Sequence, residues 1–231
     1  MKRLFIILLI IGSVIKIANS QEYMYQRGLV TLSAGVAIPA YDFGKLRGIN
    51  LSSYVKIGTN ITAEAVYFYS WHIGFGVLLN YSINPINNEK LSEGYLLASS
   101  AFTSVTAETE PFRDFSGLAG FVFDIPANEY FSLTFKMMAG LRNVYKPTAL
   151  IKTTTVFSSV DYYETSNNEL LFAFLTSIGV RFKVNENLNA HFTAYYIGSK
   201  LEFNYNRSHK EINELSHIGV LQSTLGVSYS F

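Results

Sequence analysis

The chain has 231 residues, a formal net charge of +1, 15% charged and 15% aromatic residues, and no cysteine. That length fits one large all-β domain better than two small ones. Near-neutral charge gives no electrostatic footprint for a nucleic-acid partner, and the missing cysteines exclude disulfides, thiolate metal sites and a lipoprotein anchor.

Residues 1–20 read as a signal peptide. Lys2 and Arg3 precede an apolar run from Leu4 to Ile15, and Ala18 and Ser20 place small residues where a signal peptidase needs them, leaving Gln21 first. A transmembrane anchor is the alternative. It meets Lys16 and a run shorter than the roughly 20 apolar residues that a spanning helix needs. Residues 21–231 then form the mature domain, and a membrane assignment for it rests on strands.

Strands of a membrane barrel alternate a lipid-facing with a lumen-facing residue over about 9–11 positions. From Leu29 to Pro39, Val30, Leu32, Ala34, Val36 and Ile38 share one face. A second strand runs from Ile49 to Tyr67, with Leu51, Val55, Ile57, Ile61, Ala63 and Ala65 opposite Lys56, Asn60, Thr62 and Glu64. Gly58-Thr59-Asn60 could instead be a hairpin, which would lead to ten strands if Gly94 to Ala107 supplied another; the unbroken phase favours one long strand. Beyond a turn at Ser70, a third strand sets Ile73, Phe75, Val77, Leu79 and Tyr81 against Gly74, Gly76, Asn80 and Ser82. The fourth spans roughly Phe112 to Asp124, and the fifth carries Phe131, Leu133, Phe135, Met137 and Leu141 opposite Lys136 and Arg142. The sixth opposes Phe172, Phe174, Ile178, Val180 and Phe182 to Ser177, Arg181 and Lys183. In the seventh, Ala190, Phe192, Ala194 and Tyr196 oppose Asn189, His191 and Thr193, and a phase slip near Gly198 predicts a bulge. The eighth sets Leu221, Leu225, Val227, Tyr229 and Phe231 opposite Gln222, Thr224, Gly226 and Ser228.

Short turns at Ser70, Ile125 to Glu129 and Val184 to Asn187 alternate with longer connections over residues 40–48, 84–111, 144–169 and 206–216. This predicts an all-β, eight-stranded antiparallel up-and-down transmembrane β-barrel, with both termini in the periplasm and the long loops outside. A soluble lipocalin-like barrel would turn the apolar face inward. Against it stand an inner face of Gly, Ser and isolated charges, and aromatics at strand ends. Tyr67 and Trp71 lie near the short turns, while Tyr81, Tyr145 and Phe203 lie near the loops, as two interfacial girdles would require.

The closing octapeptide, Thr224 to Phe231, has Thr224, Gly226, Tyr229 and a final Phe231 in the pattern of a C-terminal insertion signal. With Leu32-Ser33-Ala34-Gly35-Val36-Ala37-Ile38-Pro39 and the aromatic-flanked turn Tyr67 to Gly76, it resembles the small outer-membrane barrels of the Bacteroidota "porin family", with an OmpA-like or OmpX-like transmembrane domain. The resemblance implies a cell outer-membrane location in a Gram-negative envelope and contact with outer-membrane lipid and lipopolysaccharide. It also implies insertion by the barrel-assembly machinery. Since the sequence ends at Phe231, no peptidoglycan-binding domain is expected.

Glu64, Lys136, Arg181, Lys56, Asp114, Arg142, Lys183 and His191 all fall on the predicted inner face. Counting from the turns sets Asp114 beside Arg142 and Arg181 beside His191, with Glu64 and Lys136 at similar heights on different walls. Buried charges must pair, so these residues predict a salt-bridged plug, with a gated narrow pore for small solutes as the alternative. Lipid A deacylases and palmitoyltransferases occur on this scaffold, and His191, Thr193 and Glu202 loosely resemble a hydrolase set. Thr stands where such deacylases carry Ser, and the phase points His191 into the lumen, so no catalytic residue is expected. His209 and His217 lack ligand-like spacing, and no metal site or cofactor is expected. The second and third loops have the β-propensity to extend as strands, which offers a surface to an extracellular protein partner.

Overall fold

Alternation of apolar and polar residues drives each wall segment to bury one face only, and closing the sheet on itself leaves no unpaired edge. The computed structural model describes residues 27–41, 43, 51–164, 167–207 and 210–231, with the side chains of 41, 164, 167 and 200–217 outside those described. The predicted signal peptide over residues 1–20 lies outside the described residues. The strands are β1 (Gly28–Tyr41), β2 (Gly58–Phe68), β3 (Ile73–Asn84), β4 (Phe102–Thr109), β5 (Phe112–Pro126), β6 (Phe131–Lys146), β7 (Ala149–Thr155), β8 (Ser159–Glu164), β9 (Asn167–Lys183), β10 (Leu188–Arg207) and β11 (Lys210–Ser230). Eight of them form a closed antiparallel barrel in the order β1, β11, β10, β9, β6, β5, β3, β2. The remaining three form a separate sheet in the order β4, β7, β8.

The last strand closes the cylinder. β11 pairs with β1 from Leu29↔Ser230 to Tyr41↔Ile218, and Gly28 and Phe231 exchange backbone hydrogen bonds of 2.8 and 3.0 Å at its end. The sign of the alternation is as the sequence predicts: Leu32, Phe75, Met137, Phe172, Phe192 and Leu225 stand exposed on the outer wall, while Thr31, Asn80, Ser116 and Thr224 face in. An outer wall of this composition suits hydrocarbon and would be costly in water.

Four expectations are corrected. The second strand does not run from Ile49: β2 begins at Gly58, Leu51–Tyr54 form a single 3-10 turn, and Val55 makes an isolated bridge to Ile86. Leu51, Tyr54 and Val55 are buried, because they gain more by packing over the barrel mouth than by continuing a lipid-facing row. Gly58-Thr59-Asn60 accordingly starts a strand and is not a hairpin. Lys56 precedes β2 and is exposed, so it does not belong to the lumen. At Gly198 there is no bulge, since its pairing with Gly219 and Phe174 continues the register of both neighbouring strands. The apparent slip arises because Tyr195 and Ile197 are inward-facing and buried, an apolar patch in a polar row. Finally, residues 206–216 are not a long loop. β10 and β11 stay paired out to Arg207↔Lys210. At about 3.3 Å per residue, the 21 residues of β11 reach roughly 70 Å, well beyond a hydrocarbon core of about 30 Å even when tilted.

Among the described residues, a helix and the small sheet pack over the loop end of the barrel. The helix, α1 (Asn88–Ala98), begins at Asn87, whose side chain accepts the Lys90 amide at 3.4 Å, with Glu89 in the first turn. Leu91 of α1, Leu51 and Tyr54 of the 3-10 turn, Ala107 of β4 and Ile151 of β7 share one apolar core with Ala37, Phe112, Val144 and Val220 from the inner barrel wall. Gly94 permits the closest approach there: a Cβ at that position would lie 2.0 Å from the Tyr54 hydroxyl oxygen. Burial pushes the pKa of that hydroxyl above the ordinary tyrosine value.

Candidate functional site: a filled lumen and a capped mouth

Inward residues of eight strands meet in a space that small barrels fill with side chains. Near the short turns, Arg181 of β9 reaches over β6 to ion-pair with Asp124 of β5, and its guanidinium also donates to Ser132 Oγ at 3.3 Å. His191 faces Arg181 across the β9–β10 ladder, and its Nε2 lies 2.6 Å from Ser228 Oγ. Asn189 donates to Ser230 Oγ at 2.6 Å at the same end. Lys183 sits half-buried at the last position of β9, opposite Asn189.

Glu64 and Lys136 form a buried ion pair that crosses the interior, since β2 and β6 are separated in the wall by β3 and β5. Toward the loops, Tyr195 reaches from β10 to β2, where its hydroxyl accepts from Asn60 Nδ2 at 2.8 Å and lies 2.5 Å from Thr62 Oγ1. Asn80 and Gln222 exchange amide hydrogen bonds of 2.9 and 3.3 Å between β3 and β11. These ties stitch opposite walls together, and each satisfies groups whose burial alone would be unfavourable. Leu78, Leu118, Val122, Met138, Leu175 and Ile197 pack among them.

The innermost charge lies next. Arg142, 1% exposed, donates to Asp114 Oδ2 at 2.9 Å, to Ser199 Oγ at 3.4 Å and to the Ile218 carbonyl at 3.5 Å. Asp114 also accepts from Ser82 Oγ at 2.5 Å. Above it begins the apolar core of the cap. Polar ties with apolar side chains packed among them thus occupy the lumen up to the Asp114–Arg142 pair, and the core of the cap follows.

The structure therefore brings Glu64 to Lys136 and Asp114 to Arg142. It gives Arg181 the partner Asp124, which periodicity placed only at the end of a strand. Tyr195 joins the network too, and its one signal in the sequence is an aromatic on an otherwise polar face. Among the girdle aromatics, Tyr67, Trp71, Tyr81, Tyr229 and Phe231 are exposed, and Tyr145 is half-buried with the Arg113 guanidinium 5.8 Å from its ring centre. Phe203 lies in β10, its side chain outside those described. The Glu202, His209 and His217 side chains are outside them too. Among the described residues no three His, Asp or Glu converge in a way that would hold a metal ion.

The turn joining β7 and β8 is closed by hydrogen bonds. Thr155 N donates to the Ser158 carbonyl at 2.8 Å, and Ser158 N donates to Thr155 Oγ1 at 3.0 Å. Its tip presents Val156 and Phe157, the latter 97% exposed, and β8 adds exposed Tyr162 and Tyr163.

No protein-family model matches the chain, and comparison with curated proteins finds no match. Solved structures do match. The attachment invasion locus protein Ail of Yersinia pestis is 17% identical, with a TM-score of 0.49, over 90% of this chain and all of that one. Neisserial surface protein A is 13% identical, with a TM-score of 0.50, over 88% of this chain and 97% of that one. The second likeness, at so low an identity, extends to the fold: this chain shares the barrel architecture of a small bacterial surface protein.

Proposed function

We propose that the protein is a non-enzymatic outer-membrane barrel of a Gram-negative cell, of the Bacteroidota porin-family kind, that stabilises the envelope and presents a folded sheet for binding outside the cell. The observation that carries this reading is the division of the molecule. Its lumen is tied across by Glu64–Lys136, Arg181–Asp124 and Asn80–Gln222, its mouth is capped, and its β7–β8 hairpin carries unburied Val156 and Phe157 away from the wall. Exposed aromatics on a hydrogen-bonded hairpin suit a protein partner, because their side chains bury much area at little entropic cost.

Residues 1–20 direct export in this reading. Thr224, Gly226, Tyr229 and Phe231 serve the barrel-assembly machinery, with Tyr229 and Phe231 on the outer wall and Thr224 facing in. Tyr67, Trp71 and Phe231 anchor the periplasmic interface, and Tyr81 and Tyr145 the outer one.

The absence of native cysteines makes orientation measurable. Ser158→Cys in the β7–β8 hairpin is expected to react with a membrane-impermeant maleimide on intact cells, whereas Glu129→Cys in the β5–β6 turn reacts only after the outer membrane is opened. Labelling of residue 129 alone on intact cells would reverse the orientation and remove the binding role.

A further inference from the structure

The small sheet has two edges, and they are treated differently. On the β4 side, the Ser92 hydroxyl of α1 accepts the Ala107 amide at 2.9 Å, and Thr109 Oγ1 donates to Asn88 Oδ1 at 2.5 Å, so the helix covers that edge. β8 forms the opposite edge and pairs with β7 alone. Thr155 N donates to the Ser158 carbonyl at 2.8 Å, and the register runs from Thr154↔Ser159 to Ala149↔Glu164. Antiparallel bonding alternates along a strand, so Val160 and Tyr162 direct their backbone groups to β7, while the N–H and C=O of Ser159, Asp161 and Tyr163 point away from it. Among the described residues no group bonds to these outward atoms.

Two further features define what fits there. The apolar inner face of the sheet stops short at β8. Ile151 and Thr153 are 1% exposed, whereas Tyr162 and Val160, directly opposite them, are 50% and 43% exposed. The outer face ends on an unanswered charge. Asp161 lies opposite Lys152, but the Lys152 ammonium turns to Glu108 on the β4 side, 3.5 Å away. Asp161 is exposed and forms no ion pair among the described residues. A cation on a neighbouring strand would meet it at cross-strand distance.

We infer that β8 takes an extended segment of another protein as the fourth strand of this sheet, and that the segment alternates apolar with basic residues. Its apolar side chains cover Val160 and Tyr162 on the inner face, and a Lys or Arg answers Asp161 on the outer one. The inference rests on the proposed orientation, which puts the sheet outside the cell, and it names the partner for the binding role given there. In such strand addition the backbone groups of Ser159, Asp161 and Tyr163 supply affinity, and the alternate side chains supply specificity. A second copy of this chain fits less well, because antiparallel pairing of two β8 edges centred on Asp161 sets two carboxylates opposite each other.

The test is binding of a short capped peptide of alternating valine and lysine, and of its valine–glutamate counterpart, to the refolded full chain in phosphatidylcholine bilayers. The lysine peptide is expected to bind about fivefold or more tightly, one cross-strand attraction being gained and one repulsion avoided. Asp161→Lys is expected to reverse that order. Asp161→Pro removes one outward N–H and none of the bonds to β7, and is expected to lose both peptides. In the wild type, hydrogen exchange at the Asp161 and Tyr163 amides slows when the lysine peptide binds, while the Val160 and Tyr162 amides, which already face β7, stay unchanged. Equal affinity for the two peptides, an unreversed order in Asp161→Lys, or no slowing at Asp161 and Tyr163 would overturn the inference; the first and third need no variant to fold. Labelling at residue 158 on intact cells with neither peptide bound would sink the strand addition and leave the proposed function standing, whereas labelling at residue 129 alone would remove both.

Discussion

Asp114→Ala is expected to destabilise the barrel by about 3–5 kcal/mol, read as a lower urea midpoint for the refolded protein in lipid bilayers. Arg142 is 1% exposed, and the carboxylate 2.9 Å away is its one anionic partner among the described residues. Removing that carboxylate leaves a guanidinium in the lumen with only Ser199 Oγ and the Ile218 carbonyl, at 3.4 and 3.5 Å, which are long contacts for a full charge. It also strips Ser82 of its acceptor. The double change Asp114→Leu/Arg142→Met is expected to recover most of the loss. An apolar pair of similar volume escapes the desolvation that the ion pair bears, and it extends the apolar core directly above. A single variant as stable as wild type would show that the pair is not what holds this layer.

Gly35→Val is expected to prevent closure, with loss of the fast-migrating band that a folded barrel gives in an unboiled gel sample. Gly35 lies in β1, between β11 and β2, with Thr224 and Asn60 as its partners. A Cβ there would stand 1.9 Å from the Ser223 carbonyl oxygen and 2.7 Å from the Thr224 Cα. Both are backbone atoms, so no rotamer change relieves the contact, and the strands of the closing seam must part. Overpacking of flexible cores costs about 1–3 kcal/mol, and a rigid backbone contact costs more. Gly117→Ala is the matching control. Its Cβ would meet only Leu79 Cδ2, at 3.7 Å, and its effect should stay within about 0.5 kcal/mol.

Much of the wall was legible in the sequence because a strand in a one-walled barrel has a single rule to obey. Each outward residue named for β1, β3, β6 and β9 is on the outer surface, and the strand count is eight. The C-terminal segment supplied the sign, which period two by itself does not carry. Where a residue obeys two rules, the pattern misled. Leu51 and Val55 alternate correctly for a wall but fold over its mouth, and Tyr195 breaks the polar row because it ties two walls together.

The interior pairings were legible only in part, for a geometric reason. Asp114 and Arg142 are on neighbouring strands, so counting from one turn brings them near. Asp124 and Arg181 are two strands apart, and their meeting depends on barrel stagger, which no local pattern records. The cap was the least legible element. α1 has a usable start signal in Asn87 and Glu89, but its apolar residues are too few to make a stripe, since Leu91 alone in it is buried. The second and third loops do form strands, though as a separate sheet and not as extensions of the wall, and the second loop begins as a helix. β4 and β7 spend their β-propensity on each other, in a pairing between segments some 40 residues apart.

Side chains tie this barrel across its lumen from wall to wall. Planar-bilayer recording of the refolded protein tests this most directly. A lumen tied across in this way is expected to give a silent bilayer across physiological voltages, in samples whose folding the unboiled gel has established. Stable, reproducible unitary openings from the same samples would contradict it and make the lumen a channel.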